Sequence, residues 1–184
     1  MIISAPIPPT IPNVPFYSQL TDITSPAWKK VGCGITSLAM IIDYYKPKVS
    51  VNTLLGQGIA LGAYKQNAGW TYAGLIAVAK KHGLEGKTYD LGKSTTKIAF
   101  AEIQKQLKDG PVMASIHYKF EPTNPIPHLV VINGIDDGMV YYNDPAAKEG
   151  EKKISTAGFL AAWKKRFIVI RPVTEKKSVA ILTQ

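Results

Sequence analysis

The sequence predicts an α+β domain built on an antiparallel sheet, and three observations carry that prediction. Helix-patterned segments fill the first half of the chain and strand-patterned segments the second, without the alternation that βαβ units require. Two of the strand segments flank Asp136-Asp137-Gly138, a hairpin turn signal. The 184 residues, 46% hydrophobic and 19% charged with a mean hydropathy of 0.00, suit one globular core and fall short of two ordinary domains.

Prolines at positions 6, 8, 9, 12 and 15 forbid helix or central strand, so residues 1–13 read as an extended arm ahead of a single domain over 14–172, with 173–184 as a tail. Val14-Pro15-Phe16-Tyr17-Ser18-Gln19 is denser in apolar residues and leads through a loop to the segment beginning Gly32-Cys33-Gly34. There Ile35, Leu38, Ala39, Ile42 and Tyr45 recur at helical spacing, and Pro47 stops the run. A short helix is expected over Val51 to Gly58, then a loop through Gly62, Asn67 and Gly69. Thr71 to His82 has an N-cap threonine, basic residues in its last turn and Gly83 beyond; Thr96 to Lys108 follows the same logic and ends at Asp109-Gly110-Pro111. Strands are expected at Val112 to Tyr118, His128 to Ile132 and Met139 to Tyr142, a helix over Ser155 to Arg166, and a last strand at Phe167 to Ile170 before Pro172. The chain shows no internal repeat of 20 to 50 residues.

Charge and composition narrow the function. The net charge is +9, yet the basic residues fall in scattered pairs such as Lys29-Lys30 and Lys152-Lys153 with no aromatic interleaving, a solvated surface and not a nucleic-acid face. No apolar run reaches the roughly 18 residues of a membrane span, and the start lacks a basic and apolar signal pattern. An extracellular or cell-surface location with its signal outside this chain is one expectation, the cytoplasm the other. The single cysteine excludes a disulfide framework and a cysteine-rich zinc site. A monomer needing no metal or organic cofactor is expected.

Cys33 carries the chemistry. In the first turn of its helix a thiol faces unpaired backbone N–H groups, which with the helix dipole favour the thiolate, the form that attacks carbonyl carbon. Gly32 and Gly34 remove Cβ atoms on either side and let a substrate backbone approach. A small buried apolar residue is the plainer reading of a lone cysteine. A nucleophile also needs a base, an orienting group and oxyanion donors. His128, opening a buried strand after Pro125-Ile126-Pro127, is the candidate base; His82 reads as a helix cap, and His117 as a surface or satisfied core residue. The hairpin returns Asn143-Asp144-Pro145 toward His128: a register with 128 opposite 144 presents Asp144, and a one-residue slip presents Asn143. Gln19 is a neutral amide donor suited to an oxyanion, alongside the Cys33 backbone N–H.

The order Val14-Pro15-Phe16-Tyr17-Ser18-Gln19, Gly32-Cys33-Gly34, His128-Leu129-Val130-Val131-Ile132-Asn133-Gly134 and Asn143-Asp144-Pro145-Ala146 resembles the bacteriocin-leader-processing peptidases and their stand-alone relatives among the papain-like cysteine peptidases. The resemblance implies a papain-like fold with the cysteine helix packed on the sheet. It also implies Cys33 as nucleophile, His128 as general base, Asp144 as orienter and Gln19 as oxyanion donor. The family commonly has Asp or Asn before the cysteine and Pro two residues after it, where this chain has Gly32 and Ile35. The fused transporter domains are absent, which weakens any inference of double-glycine leader specificity. The expected function is cleavage of peptide or isopeptide bonds in a peptide or protein substrate through a thioester. A silent papain-like module binding an anionic surface polymer, or a transpeptidase or deamidase, are the alternatives. Trp70 and Tyr72, beyond the glycine-rich loop, suit either the core or a cleft wall.

Overall fold

The computed structural model describes residues 11–66 and 68–173. Most of the proline arm (residues 1–10) and the tail from 174 lie outside them. In chain order the elements are α1 (Pro26–Lys29), α2 (Cys33–Tyr45), α3 (Val51–Ala60), β1 (Tyr64–Lys65), β2 (Gly69–Trp70), α4 (Tyr72–Lys80), β3 (Leu84–Asp90), α5 (Thr96–Leu107), β4 (Val112–His117), β5 (Pro127–Asp136), β6 (Met139–Asn143), β7 (Lys152–Ser155), α6 (Thr156–Ala162) and β8 (Trp163–Pro172). The small strands β1 and β2 pair with each other, and the other six form one antiparallel sheet in the order β3-β8-β4-β5-β6-β7.

Alternation along the central strands splits the apolar residues between two faces. Met113, Leu129, Val131, Ile168 and Ile170 pack with α2, α3 and α4; Ala114, Val130, Ile132, Phe167 and Val169 pack with α5 and α6. Helix α2 is buried almost throughout from Gly34 to Ile42, so it lies between the sheet and α3 and α4 instead of on the surface. The helix starts follow the sequence: Ser50, Thr71 and Thr95 each accept a hydrogen bond from the N–H three residues on.

Three expectations need correction. Residues 163–166 are strand, not helix: α6 ends at Ala162, and Trp163 opens β8. Lys165 sits there with φ 55°, a left-handed residue that breaks the helical path, and the β4–β8 ladder shifts register at Ser115/Ile116 beside it. Strands β3 and β7 were not expected. Both are polar strands at the two edges of the sheet, and β3 (Leu-Glu-Gly-Lys-Thr-Tyr-Asp) shows no apolar alternation. The register of 128 opposite 144 does not occur. Val131 pairs with Asn143, and a bulge between Ile132 and Gly134 offsets the ladder that the Asp137-Gly138 turn would otherwise fix.

Candidate active site

Cys33 is the first residue of α2, and the preceding Gly32 offers no side-chain cap, so the first-turn N–H groups face the sulfur's surroundings. A Cβ at Gly32 would run into Ile23 Cδ1 and approach the Trp28 carbonyl at 3.0 Å, so with Ile23 in this position the chain enters the helix through a tight passage. One turn further on, Ser37 Oγ donates to the Leu129 carbonyl at 3.2 Å. That bond ties the face of α2 that bears Cys33 to the strand residue next to His128.

His128 is buried at the start of β5, 4% exposed. Its Nε2 lies 2.6 Å from Asp144 Oδ1, and the ring lies near enough to the Cys33 thiol for each to shift the other's proton affinity. The edge of the Tyr118 ring stands against the imidazole, 5.1 Å between centroids at 81°. Asp144 reaches the ring although its strand neighbour Asn143 pairs with Val131: β6 ends at Asn143, and the turn that follows is closed by the Ala146 N–H donating to the same Oδ1 at 2.8 Å. Asn143 is fully buried and turned elsewhere. Its amide donates to the Val14 and Pro15 carbonyls at 3.0 and 3.4 Å and accepts from the Glu151 N–H at 2.8 Å.

Each of these groups is shifted by the others. Burial raises the Cys33 thiol, but the hydrogen bond and positive charge of His128, with the N–H groups of Leu129 and Gly34, outweigh it and leave the thiol below its ordinary value. Burial lowers His128, and its bonds to Asp144 and Cys33 reverse that, raising it to about 9. Asp144 is raised by burial and lowered more by His128, Ala146 N–H and Lys152. The three groups therefore favour a thiolate, an imidazolium and a carboxylate in contact.

Gln19 is brought to the same place by the loop after Asp144. The Gln19 N–H donates to the Pro145 carbonyl at 2.8 Å, and Ser18 Oγ donates to the Ala147 carbonyl at 2.7 Å. Its side chain lies 6% exposed on the cleft wall beside Cys33, with Nε2 donating one proton to the Lys29 carbonyl at 2.7 Å. An amide nitrogen carries two protons, so this anchor orients the group and leaves the second N–H to donate.

These side chains meet at the floor of an open cleft of about 910 Å³. Trp70 and Tyr64 form an aromatic wall of the cleft, 5.4 Å apart, and Trp28 backs it edge-on to Tyr64 at 5.0 Å. Trp70 serves both as core and as wall: it is 6% exposed, donates Nε1–H to the Val31 carbonyl at 2.7 Å and borders the cleft with Tyr72. The other histidines are outside the cleft. His117 Nδ1 donates to the Asn124 carbonyl at 2.6 Å, and His82 contacts Gln57 Oε1 at 2.8 Å near the end of α4. Sequence reasoning missed Ser37 and Tyr118, which act through contacts with β5 that no local spacing reveals. Among the described residues no cluster of three His, Cys, Asp or Glu side chains is arranged to hold a metal.

The family model described as Peptidase_C39 like matches residues 11–168, an interval that contains every residue of this site. The chain belongs to the Peptidase_C39 like family. Its fold is that of C39 peptidases of known structure. A C39-like peptidase from Bacillus anthracis superposes with a TM-score of 0.64 at 22% identity, covering 88% of this chain and 96% of that one. A double glycine motif protease from an AMS/PCAT transporter, solved with its leader peptide, gives 0.59 at 23%, covering 89% and 94%. The peptidase domain of Streptococcus ComA, a bifunctional ABC transporter, gives 0.56 at 18%, covering 78% and 93%. No curated protein sequence matches the chain. The papain-like α+β architecture is thereby established, and family and fold together are those of cysteine peptidases. Among the described residues no helix is long and apolar enough to cross a membrane.

Proposed function

We propose that this C39-like protein is a cysteine peptidase that cleaves peptide or isopeptide bonds through a thioester on Cys33. The observation that carries the reading is that Cys33 and His128 line one open cleft and influence each other's proton, with His128 hydrogen-bonded to Asp144 behind it. The thiolate attacks the carbonyl carbon, and the carbonyl oxygen becomes an oxyanion facing the Cys33 backbone N–H and the second N–H of Gln19. The imidazolium of His128 gives its proton to the departing amine as the C–N bond breaks, leaving a thioester. His128, now neutral, takes a proton from water as the water oxygen attacks the thioester, and the acid product leaves with the thiolate restored. Asp144 holds the ring in the orientation that presents its free nitrogen to the sulfur throughout.

Gly32 and Ile35, which depart from the common family pattern, do not remove any of these groups. Gly32 sits tightly against Ile23 and Trp28, and Ile35 is fully buried in the core beneath α2. A peptide in extended form suits the cleft, in keeping with the leader peptide held by the double glycine motif protease. The test is alkylation by iodoacetamide at mildly acidic pH. Cys33 is expected to react much faster than a free thiol, and His128→Ala to abolish the advantage. Equal rates for Cys33 and free cysteine would overturn the reading.

A further inference from the structure

The cleft carries a charge pattern that the cleavage chemistry does not use. One row of directly paired residues crosses the sheet away from the candidate triad: Leu129 pairs with Ser115, Ser115 with Arg166, and Arg166 with Asp90. Residues paired in this way share a face, and Ser115, Arg166 and Asp90 all border the cleft. Arg166 is therefore two strand steps from β5, about 10 Å along the cleft from the strand that bears His128. An extended peptide advances roughly 3.3 Å per residue, so this distance corresponds to about three residues from the bond being cut.

Arg166 is held for binding an anion. Its Nε donates to Asp90 Oδ2 at 3.0 Å, and Asp90 is itself fixed by the Gly92 N–H donating to Oδ1 at 3.1 Å. That single bond orients the guanidinium from one side, and among the described residues its two terminal nitrogens make no bond to protein, which is the fork a carboxylate accepts in bidentate fashion. Lys164 borders the cleft two residues before it, and Lys30 lies on the rim near Gln19. The cleft lining among the described residues thus holds three cations against the one carboxylate of Asp90, which is already engaged. Lys164 and Arg166 stand on either side of the left-handed Lys165 in β8, and both border the cleft.

We propose that Arg166 and Lys164 form a specificity subsite that selects peptides carrying Asp or Glu about three residues from the scissile bond. This rests on the peptidase reading for its geometry, and it is tested in a form that separates the two. Fluorescent ten-residue peptides, identical except for Glu, Gln or Lys placed at successive positions, are titrated against Cys33→Ala and digested with the unaltered protein. The expected result is about fivefold tighter binding of the best Glu peptide over its Gln counterpart, the scale of one half-exposed ion pair, with the gain lost at high salt. Arg166→Glu is expected to cancel the preference or turn it toward Lys, and Arg166→Gln to cancel it. Digestion without any acidic preference overturns the subsite and leaves the peptidase reading standing. Charge-selective, Arg166-dependent binding without digestion supports the subsite and overturns the peptidase reading. Absence of both binding and digestion overturns the two together.

Discussion

A sulfur and an imidazole that share a proton are reactive over the pH interval in which they carry opposite charge. For Cys33 and His128 the lower edge is the depressed thiol and the upper edge the imidazole raised to about 9. As pH falls through the lower edge the thiolate is protonated; as it rises through the upper edge the imidazolium loses the proton needed by the leaving amine. On the proposed mechanism kcat/KM for a fluorogenic peptide is therefore bell-shaped, with its alkaline limb near pH 9. Asp144→Asn removes a carboxylate that raises His128, while Asp144's size and its place beside Ala146 are kept. The alkaline limb should move to lower pH, and kcat should fall by about 10² to 10⁴. An unmoved limb would assign the orienting role elsewhere. Asn143 is the control. Its side chain serves the Val14 and Pro15 carbonyls and the Glu151 N–H, so Asn143→Ala strands buried polar groups and should destabilise the fold by about 2–4 kcal/mol in urea titration. The pH limbs of whatever folds should stay in place.

At the scale of elements, what the chain discloses about itself depends on whether the determining contacts are local. Caps at Thr71 and Thr95, the 3.6-residue pattern of α2 and the Asp137-Gly138 turn are local, and each element appears where those residues put it. Edge strand β3 owes its existence to β8, far along the chain, and β7 to the preceding β6 across an irregular loop, so their own polar residues announce nothing. The place of Asp144 is non-local in the same sense: it reaches His128 from the turn beyond the end of β6, whereas counting along an ideal hairpin from Asp136 opposite Met139 sets His128 opposite neither Asn143 nor Asp144. Close packing of helix against wall gives a sharper test. A Cβ on Gly34 would lie 2.6 Å from Trp70 Cβ and 2.7 Å from Cγ. Replacing a helical glycine with alanine gains about 1 kcal/mol in propensity, whereas forcing an overpacked contact costs about 1–3 kcal/mol. Because the contact is with the root of a buried tryptophan, which cannot swing aside, the cost wins. Gly34→Ala should lower the urea midpoint and shift the Trp fluorescence, and a stabilised variant would show that Trp70 is held less firmly than its 6% exposure implies.

For the molecule as a whole, one sheet serves two cores that do different work. The face toward α2 supports Cys33, while the face toward α5 and α6 is filled by Val130, Ile132, Phe159 and Phe167. Both faces draw on the same strands: Leu129 and Val131 point one way and Val130 and Ile132 the other along a few residues of β5. Loss of packing on the far face is therefore expected to act on Cys33 through the stability of the shared strands. Phe159, fully buried and stacked on Trp163 at 5.3 Å, is the largest contribution α6 makes. Phe159→Ala should cost about 3–5 kcal/mol, a large part of the stability of a domain this size. Below its unfolding transition the variant should alkylate at Cys33 with unchanged pH dependence, because the hydrogen bonds that Asp144 makes to His128 and Ala146 do not involve α6. Through the transition, loss of the fast alkylation at pH 6 and loss of far-ultraviolet circular dichroism should coincide, since a shared sheet leaves neither core able to stand without the other. Separate transitions, with fast alkylation surviving the melting of α6, would instead mean that the α2 face folds as a unit on strands stripped of their second cover.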